Sequence, residues 1–236
     1  MTVRMSIWAL LLTVDVSAQS LLTPLWTRRI GIPEPSDLVW DAQRDSFLVV
    51  SDNGLLYTLS KDGLAFRKVF SHGSDFEAIT LSANTVLAVD ESERRIYRFN
   101  RKDLTLSDIF PVSFLGARNR GFEAASHDPA GKVTYLITEK EPSRLYILND
   151  LFALVGTIDL RISSDVSAAV WHEGKLWVLS DEDRKLLVLS SDHRVEKSWR
   201  VKVHNPEGLA FGPDGDLYIV SDDMQLLTRF NKADLR

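Results

Sequence analysis

The sequence predicts an all-β fold, a five-bladed β-propeller of four-stranded antiparallel blades. One short pattern opens five successive units, and the units repeat at an interval of roughly 40 residues. About a dozen residues after each opening, every unit has an apolar run that is followed by an acidic residue. Such a repeat, containing several short β-type runs, is typical of propeller blades, because one unit alone is too small to bury its apolar face.

Each unit carries a polar residue at the same register, which we call the inner ring: Ser36, Glu77, Glu123, Ser167 and Glu207. The acids that follow the later apolar runs form an outer ring: Asp52, Glu91, Glu139, Asp181 and Asp222. The first strand of a blade is expected to be innermost, and successive strands run antiparallel. The start of the first strand and the end of the second therefore share one face, and both rings should surround the mouth of the channel there.

Residues 1–18 are predicted to be a secretory signal peptide. Arg4 gives a basic start, residues 6–14 form a short apolar run, and the small residues 16–18 precede Gln19 as a cleavage site. The alternative is an N-terminal membrane anchor, but the run is about half of the roughly 20 apolar residues that span a bilayer. We expect an exported protein of the periplasm or cell envelope, with residues 19–236 as a single propeller domain.

The segment 21–32 is expected to close the ring. The fifth unit has three predicted strands, and residues 231–236 leave no room for a fourth. The apolar and aromatic segment 21–32 has no partner of its own and can supply the missing outer strand of the last blade. That arrangement would remove an exposed sheet edge.

The strands within a unit follow from β-rich runs separated by turn residues. In the fifth unit they are predicted at 208–211, 216–220 and 226–230, and in the second at 86–89, 96–99 and 106–110. Gly, Pro and Asp clusters between such runs indicate hairpins. Each blade is therefore predicted to be a four-stranded meander.

Composition limits the function classes. The net charge of −5 offers no basic surface for a phosphate backbone, so a nucleic-acid partner is not expected. The chain has no cysteine, so an exported form has to be stabilised by packing and ring closure rather than by disulfides.

The glutamates of the inner ring predict a cation site. Three carboxylates in a narrow channel repel one another, so they need either a cation or protons. Calcium suits a ring of hard oxygens, with Ser36 and Ser167 as neutral ligands, because it takes six to eight oxygens at about 2.3 to 2.6 Å. Zinc and copper fit poorly, since there is no cysteine and the histidines are scattered.

Structural alternatives for both rings stay open. The inner glutamates could accept hydrogen bonds from backbone N–H groups of a neighbouring blade and hold the blades together. The outer acids could cap the turns that follow their strands.

Four further residues are candidate contacts for an anion: His72, His204, Arg120 and Lys140. Each histidine precedes an inner-ring glutamate by a few residues and could act as a general base or bind phosphate. Arg120 and Lys140 fall in predicted loops on the same face, where a guanidinium or ammonium group could hold phosphate beside calcium. The alternatives are ordinary surface histidines and cations that balance neighbouring carboxylates.

Several strings of the sequence resemble the SdiA-regulated family, also called the YjiK/CarP-like β-propellers. The strings lie at 75–80, 121–125, 138–146, 179–182 and 206–221, and the likeness covers roughly residues 33 to 230. The resemblance implies a bacterial envelope protein with calcium-linked behaviour and a phytase-like activity. The chain departs from the family in having Ala78, Ala124 and Ala168 where glycine is usual.

Three functions remain as hypotheses. The first is an exported propeller that binds calcium in its acidic channel and acts as a binding or calcium-response protein. The second is a calcium-dependent phosphoesterase, with a phosphorylated small molecule held by the metal and by Arg120 or Lys140. The third is a scaffold for an envelope protein, with purely structural carboxylates. The sequence leans against an enzyme, because it has no Gly-x-Ser-x-Gly motif and neither Ser36 nor Ser167 has a histidine partner in sequence.

Overall fold

The computed structural model describes residues 20–112, 121–140 and 142–236. The predicted signal peptide and Arg120 lie outside these ranges. The described chain is all-β, with 21 strands and one short 3-10 helix at Lys232–Leu235. No helix in these ranges is long and apolar enough to cross a membrane.

Five sheets form the blades, as predicted, and each contains four antiparallel strands. Four blades are built from consecutive strands, and the last blade takes its outer strand from the N-terminal segment. Blade 1 contains β3 Pro35–Asp41, β4 Ser46–Ser51, β5 Leu55–Ser60 and β6 Phe66–Phe70. Blade 2 contains β7 Phe76–Ser82, β8 Thr85–Asp90, β9 Arg95–Asn100 and β10 Leu106–Pro111. Blade 3 contains β11 Phe122–Asp128, β12 Val133–Thr138, β13 Arg144–Leu148 and β14 Leu154–Asp159.

The last two blades include the strands from the N-terminal segment. Blade 4 contains β15 Ala168–His172, β16 Lys175–Ser180, β17 Lys185–Leu189 and β18 Val195–Val201, with β1 Ser20–Leu22 added at its edge. Blade 5 contains β19 Pro206–Phe211, β20 Leu217–Ser221 and β21 Leu226–Phe230, with β2 Pro24–Arg29 as its outer strand.

The N-terminal segment closes the ring and does more than predicted. β2 pairs antiparallel with β21, which confirms the closing strand of the last blade. β1 pairs in parallel with β18 and gives blade 4 a fifth strand, which the sequence did not predict. Leu22 anchors this extra strand, because its side chain is buried in the apolar cluster between blades 4 and 5. The segment therefore joins two blades.

The core lies between neighbouring blades. For example, Phe47 of blade 1 packs against Tyr218 of blade 5 with a ring-centroid distance of 4.8 Å, and Leu48 and Phe76 share a cluster between blades 1 and 2. Each blade packs against a neighbouring blade on both faces. Its second strand is therefore a continuous apolar run in the sequence.

β-Bulges set the direction of most inner-ring side chains. The register of the first two strands shifts at Ser36, Glu77, Glu123 and Glu207, so each of these is the extra residue of its first strand. In blade 4, Ser167 lies just before β15 and donates its N–H to the carbonyl of Leu179 at 3.0 Å. A bulge bends its strand and changes the direction of one side chain. Here the bulge directs the inner-ring side chain toward the channel.

Candidate metal site

The three inner-ring glutamates have raised pKa values. Glu77, Glu123 and Glu207 are half-buried. Burial, followed by the charge of neighbouring carboxylates, raises the pKa of Glu77 and Glu123 well above the usual value. The same causes raise the pKa of Glu207 to about 8. Charges across the channel contribute, since Glu123 raises the pKa of Glu77 and Glu207 raises that of Glu123.

The outer-ring acids stand where the repeat predicts. Asp52, Glu91, Glu139, Asp181 and Asp222 each directly follow the second strand of their blade. Burial and neighbouring carboxylates, among them Glu34, raise the pKa of Asp52 to about 6. Burial also raises the pKa of Glu91, Asp181 and Asp222. The two rings thus form one acidic face, which we call the funnel.

The tightest grouping within the funnel is Asp75, Glu77 and Glu91. One carboxylate oxygen from each of these residues lies within 4.8 Å of the others. Glu91 accepts a hydrogen bond from the N–H of Gly121 at 2.6 Å through Oε1, which fixes the carboxylate between blades 2 and 3. The Glu91 side chain also hydrogen-bonds to that of Glu123.

The sequence analysis missed Asp75. It lies two residues before Glu77, and Glu34 and Asp165 hold the corresponding places in blades 1 and 4. The repeat therefore contained the signal for a third set of acids. The signal is incomplete, because blades 3 and 5 have Gly121 and Asn205 at this place.

Asp37 is a second missed acid, and its role is structural. It is 1% exposed and accepts hydrogen bonds from the N–H groups of Leu38 at 2.8 Å and Ile79 at 2.9 Å. The backbone of Leu209 is a further partner, so Asp37 links blades 1, 2 and 5. Burial raises its pKa well above the usual value, although these bonds oppose the shift. Gly208 permits this contact, since a Cβ there would lie 2.6 Å from the Asp37 Cα.

The two inner-ring serines also brace the blades. The Ser36 hydroxyl donates a hydrogen bond to the carbonyl of Phe76 in blade 2. The Ser167 hydroxyl donates to the carbonyl of Pro206 in blade 5 at 2.8 Å. Both protons are therefore committed between blades, and the predicted role of these oxygens as neutral metal ligands stays a prediction.

The inner-ring glutamates differ from these braces. Within the described ranges, no backbone N–H donates to the side chain of Glu77, Glu123 or Glu207, and no basic side chain forms an ion pair with any of them. Hydrogen bonds between blades are made at this level by Ser36, Ser167 and Asp37. The charged neighbours of the glutamates are other carboxylates: Asp75 for Glu77, Glu91 for Glu123 and Asp222 for Glu207.

The candidate anion contacts lie at the rim of the funnel. Lys140 contacts Glu139 at 2.6 Å and Glu182 at 3.1 Å, and these carboxylates hold its pKa above the usual value. His72 is exposed beside Phe70, at a centroid distance of 5.5 Å. His204 is exposed with Nε2 4.0 Å from Asp223. The fourth candidate, Arg120, is not among the described residues.

Solved structures of similar fold include a cyclase, a lyase and a nidogen/laminin complex. Glutaminyl cyclase of Myxococcus xanthus aligns with a TM-score of 0.71 and 14% identity, over 89% of this chain and 96% of that one. Virginiamycin B lyase of Staphylococcus aureus gives a TM-score of 0.53 and 12% identity, over 84% and 66%. A nidogen/laminin complex gives 0.57 and 11%, over 79% and 72%. At such identities these similarities show the fold alone.

A family model provides the closer relationship. The model described as SdiA-regulated matches residues 30–230, which include every acid of the funnel and all described strands except β1 and β2. The match spans far more than half of the sequence, and it agrees with the resemblance carried by the five strings. The chain therefore belongs to the SdiA-regulated family.

Proposed function

We propose that this protein binds calcium in its funnel and acts as an exported calcium-binding or calcium-response protein. One observation carries the proposal. Glu77, Glu123 and Glu207 lie together in the channel with raised pKa values, and in the described chain they have neither a backbone donor nor a basic partner. A divalent cation at the Asp75, Glu77 and Glu91 cluster would offset the repulsion between carboxylates that helps to raise these pKa values.

The donor set favours calcium over other divalent ions. Asp75, Glu77 and Glu91 offer only carboxylate oxygens within 4.8 Å of one another, and Glu123 lies next to Glu91. Calcium accepts many oxygens in an irregular arrangement, whereas magnesium requires near-octahedral geometry and keeps its waters. Asp75, Glu77 and Glu91 are the proposed primary ligands, and Glu123 and Glu207 complete the negative wall.

The phosphoesterase alternative gains no support from the described contacts. The Lys140 ammonium group is already paired with Glu139 and Glu182, so it is not free to hold a phosphate. Cation binding is therefore the role that the described contacts of the funnel support best. Export and periplasmic location remain part of the proposal through the predicted signal peptide.

Thermal unfolding in calcium, magnesium or EDTA tests the proposal. Calcium at a large excess over its dissociation constant should raise the melting temperature by several degrees, because it binds only the folded state. The Glu77→Gln variant should lose most of this rise. Glu173→Gln is the matched control, since Glu173 is exposed in the turn between β15 and β16. Equal melting temperatures in calcium and EDTA would contradict the proposal.

A further inference from the structure

A histidine breaks the blade repeat on the face opposite the funnel. Four residues after the inner-ring register, near the far end of the first strand, the units carry Trp40, Leu81, His127, Trp171 and Phe211. Four blades thus place a large apolar side chain at this position. Since the position accepts apolar residues elsewhere in the ring, packing alone does not require histidine in blade 3.

The His127 ring is fixed between two blades. Its Nε2 lies 3.3 Å from the Oγ of Ser82, the last residue of β7 in blade 2. Its Nδ1 lies 3.2 Å from the Oγ1 of Thr134 in β12, and the ring also bonds to the backbone of Val133. In the tautomer with the proton on Nδ1, this nitrogen donates to the Oγ1 of Thr134. The lone pair of Nε2 then faces the Ser82 hydroxyl.

Ser82 and His127 line a cavity of about 450 Å³ between blades 2 and 3. Asn84, Lys132 and Asp150 also line the cavity. The Lys132 ammonium group has no partner among the described residues. Burial lowers the pKa of His127, and the nearby carboxylates of Asp150 and Asp128 oppose that shift only in part. The imidazole is therefore neutral near pH 7 and can accept a proton.

We propose that Ser82 and His127 form a nucleophile–base pair that hydrolyses short carboxylic esters. The Ser82 Oγ bonds to the ester carbonyl carbon while its proton passes to Nε2 of His127. The bond from that carbon to the alkoxy oxygen then breaks, and the departing alcohol takes the proton from Nε2. A water molecule, deprotonated by the same nitrogen, cleaves the acyl–serine and restores both residues.

The other cavity residues have supporting roles in this reaction. Lys132 provides positive charge on the wall where the carbonyl oxygen becomes an oxyanion. Thr134 is a positioning residue, because it holds Nδ1 and so directs Nε2 toward Ser82. The arrangement follows the logic of a nucleophile, a base and a residue that orients the base.

Covalent labelling of the full chain in EDTA tests the pair. A fluorophosphonate probe should modify Ser82, as located by peptide mass spectrometry, and p-nitrophenyl acetate should be hydrolysed. Ser82→Ala and His127→Phe should each reduce labelling at least about tenfold, because general-base assistance typically contributes a factor of that size or larger. Ser107→Ala, an exposed serine on β10, should label like the parent.

His127→Phe also controls for folding, since it restores the large apolar residue of the other blades. If it fails to fold, His127→Gln replaces it, because an amide can still accept the Ser82 hydrogen bond. The labelling rate of the parent should rise with pH and reach half its maximum below pH 6.5, as the lowered pKa of His127 requires. Absence of label on Ser82, or equal labelling in a folded His127 variant, would overturn the proposal. EDTA keeps the outcome independent of the calcium site.

Discussion

At the scale of single residues, the inner-ring position holds two kinds of side chain, serine and glutamate, which form different interactions. A serine hydroxyl can donate to a carbonyl of the next blade, and Ser36 and Ser167 both do so. A carboxylate has no proton to donate when ionised, so the glutamates at the same register cannot replace that bond. They are directed into the channel instead, where burial and mutual repulsion raise their pKa values.

Glu207→Gln should have opposite effects on metal binding and on the stability of the metal-free fold. Calcium affinity should fall, because one negative charge leaves the channel wall. In EDTA at about pH 8 the melting temperature should rise by several degrees, because glutamine avoids the cost of ionising a group whose pKa is raised to about 8. Calorimetric titration and differential scanning calorimetry measure the two effects. A variant that is unchanged in both would mean that Glu207 is not a charged part of the site.

Gly121→Ala should disturb the funnel through Glu91. An added Cβ would lie 2.4 Å from the Glu91 Cγ, so the carboxylate or the strand has to move. We expect a loss of about 1–3 kcal/mol in unfolding free energy, typical of overpacking, together with weaker calcium binding. Gly156→Ala is the control, because its Cβ would meet no side chain closer than 3.5 Å. Chemical denaturation and calcium titration of both variants provide the comparison, and equal behaviour would contradict this role of Gly121.

At the scale of elements, the repeat predicted those features that every blade shares. The last blade illustrates this, since 226–230 was predicted and β21 spans Leu226–Phe230. The outer-ring acids were placed correctly because antiparallel pairing fixes where each second strand ends. β1 was missed because its three residues pair through backbone groups, which leave no side-chain period in the sequence. Asp37 was missed because two of its three backbone partners, Ile79 and Leu209, come from other parts of the chain.

The contact between His127 and Ser82 likewise joins distant parts of the chain and was not predictable from local sequence patterns. His127 follows the inner-ring position of its own unit, but its contact with Ser82 depends on how blades 2 and 3 pack. Residues 45 positions apart in the chain gave no local spacing to suggest it. The departure from apolar residues at this repeat position was the available signal.

Removal of the N-terminal strands should destabilise the propeller in two steps. A chain starting at residue 24 lacks β1 and should melt a few degrees lower, because Leu22 no longer fills its cluster. A chain starting at residue 33 also lacks β2, which leaves β21 as an open edge. It also lacks Ile30 and Ile32, so their places in the core cluster between blades 1 and 5 are empty. That form should be largely unfolded or aggregated. Circular dichroism melts distinguish the two, and an unchanged melting temperature in the shorter form would rule out closure by this segment.

At the scale of the whole molecule, ring closure concentrates negative charge on one face. Every blade contributes an acid to the outer ring and three blades contribute a glutamate to the inner ring, so the repeat brings many carboxylates to one face. The cost of holding these groups together is a property of the closed ring, because carboxylates from different blades raise one another's pKa. A cation offsets this cost for several blades at once, which couples metal binding to the stability of the fold.

The contribution of the funnel carboxyls to the stability of the metal-free protein should therefore decrease as the pH rises from about 5 to about 8, whereas the lowered pKa values of His127, His172 and His193 contribute with the opposite sign. A carboxyl whose pKa is higher in the folded state stabilises the fold fully below its unfolded pKa, and this stabilisation is lost as the pH rises through the folded pKa. Asp52, with a pKa of about 6, and Glu207, with a pKa of about 8, define this window. Carboxyls of lowered pKa, such as Asp62, are ionised in both states throughout it. Urea denaturation in EDTA measures the slope. Saturating calcium should reverse or abolish it, because the ion holds the funnel carboxylates in their charged form. The Glu207→Gln variant isolates the funnel contribution, and a variant with the same slope as the parent in EDTA would show that Glu207 is not protonated in the folded state.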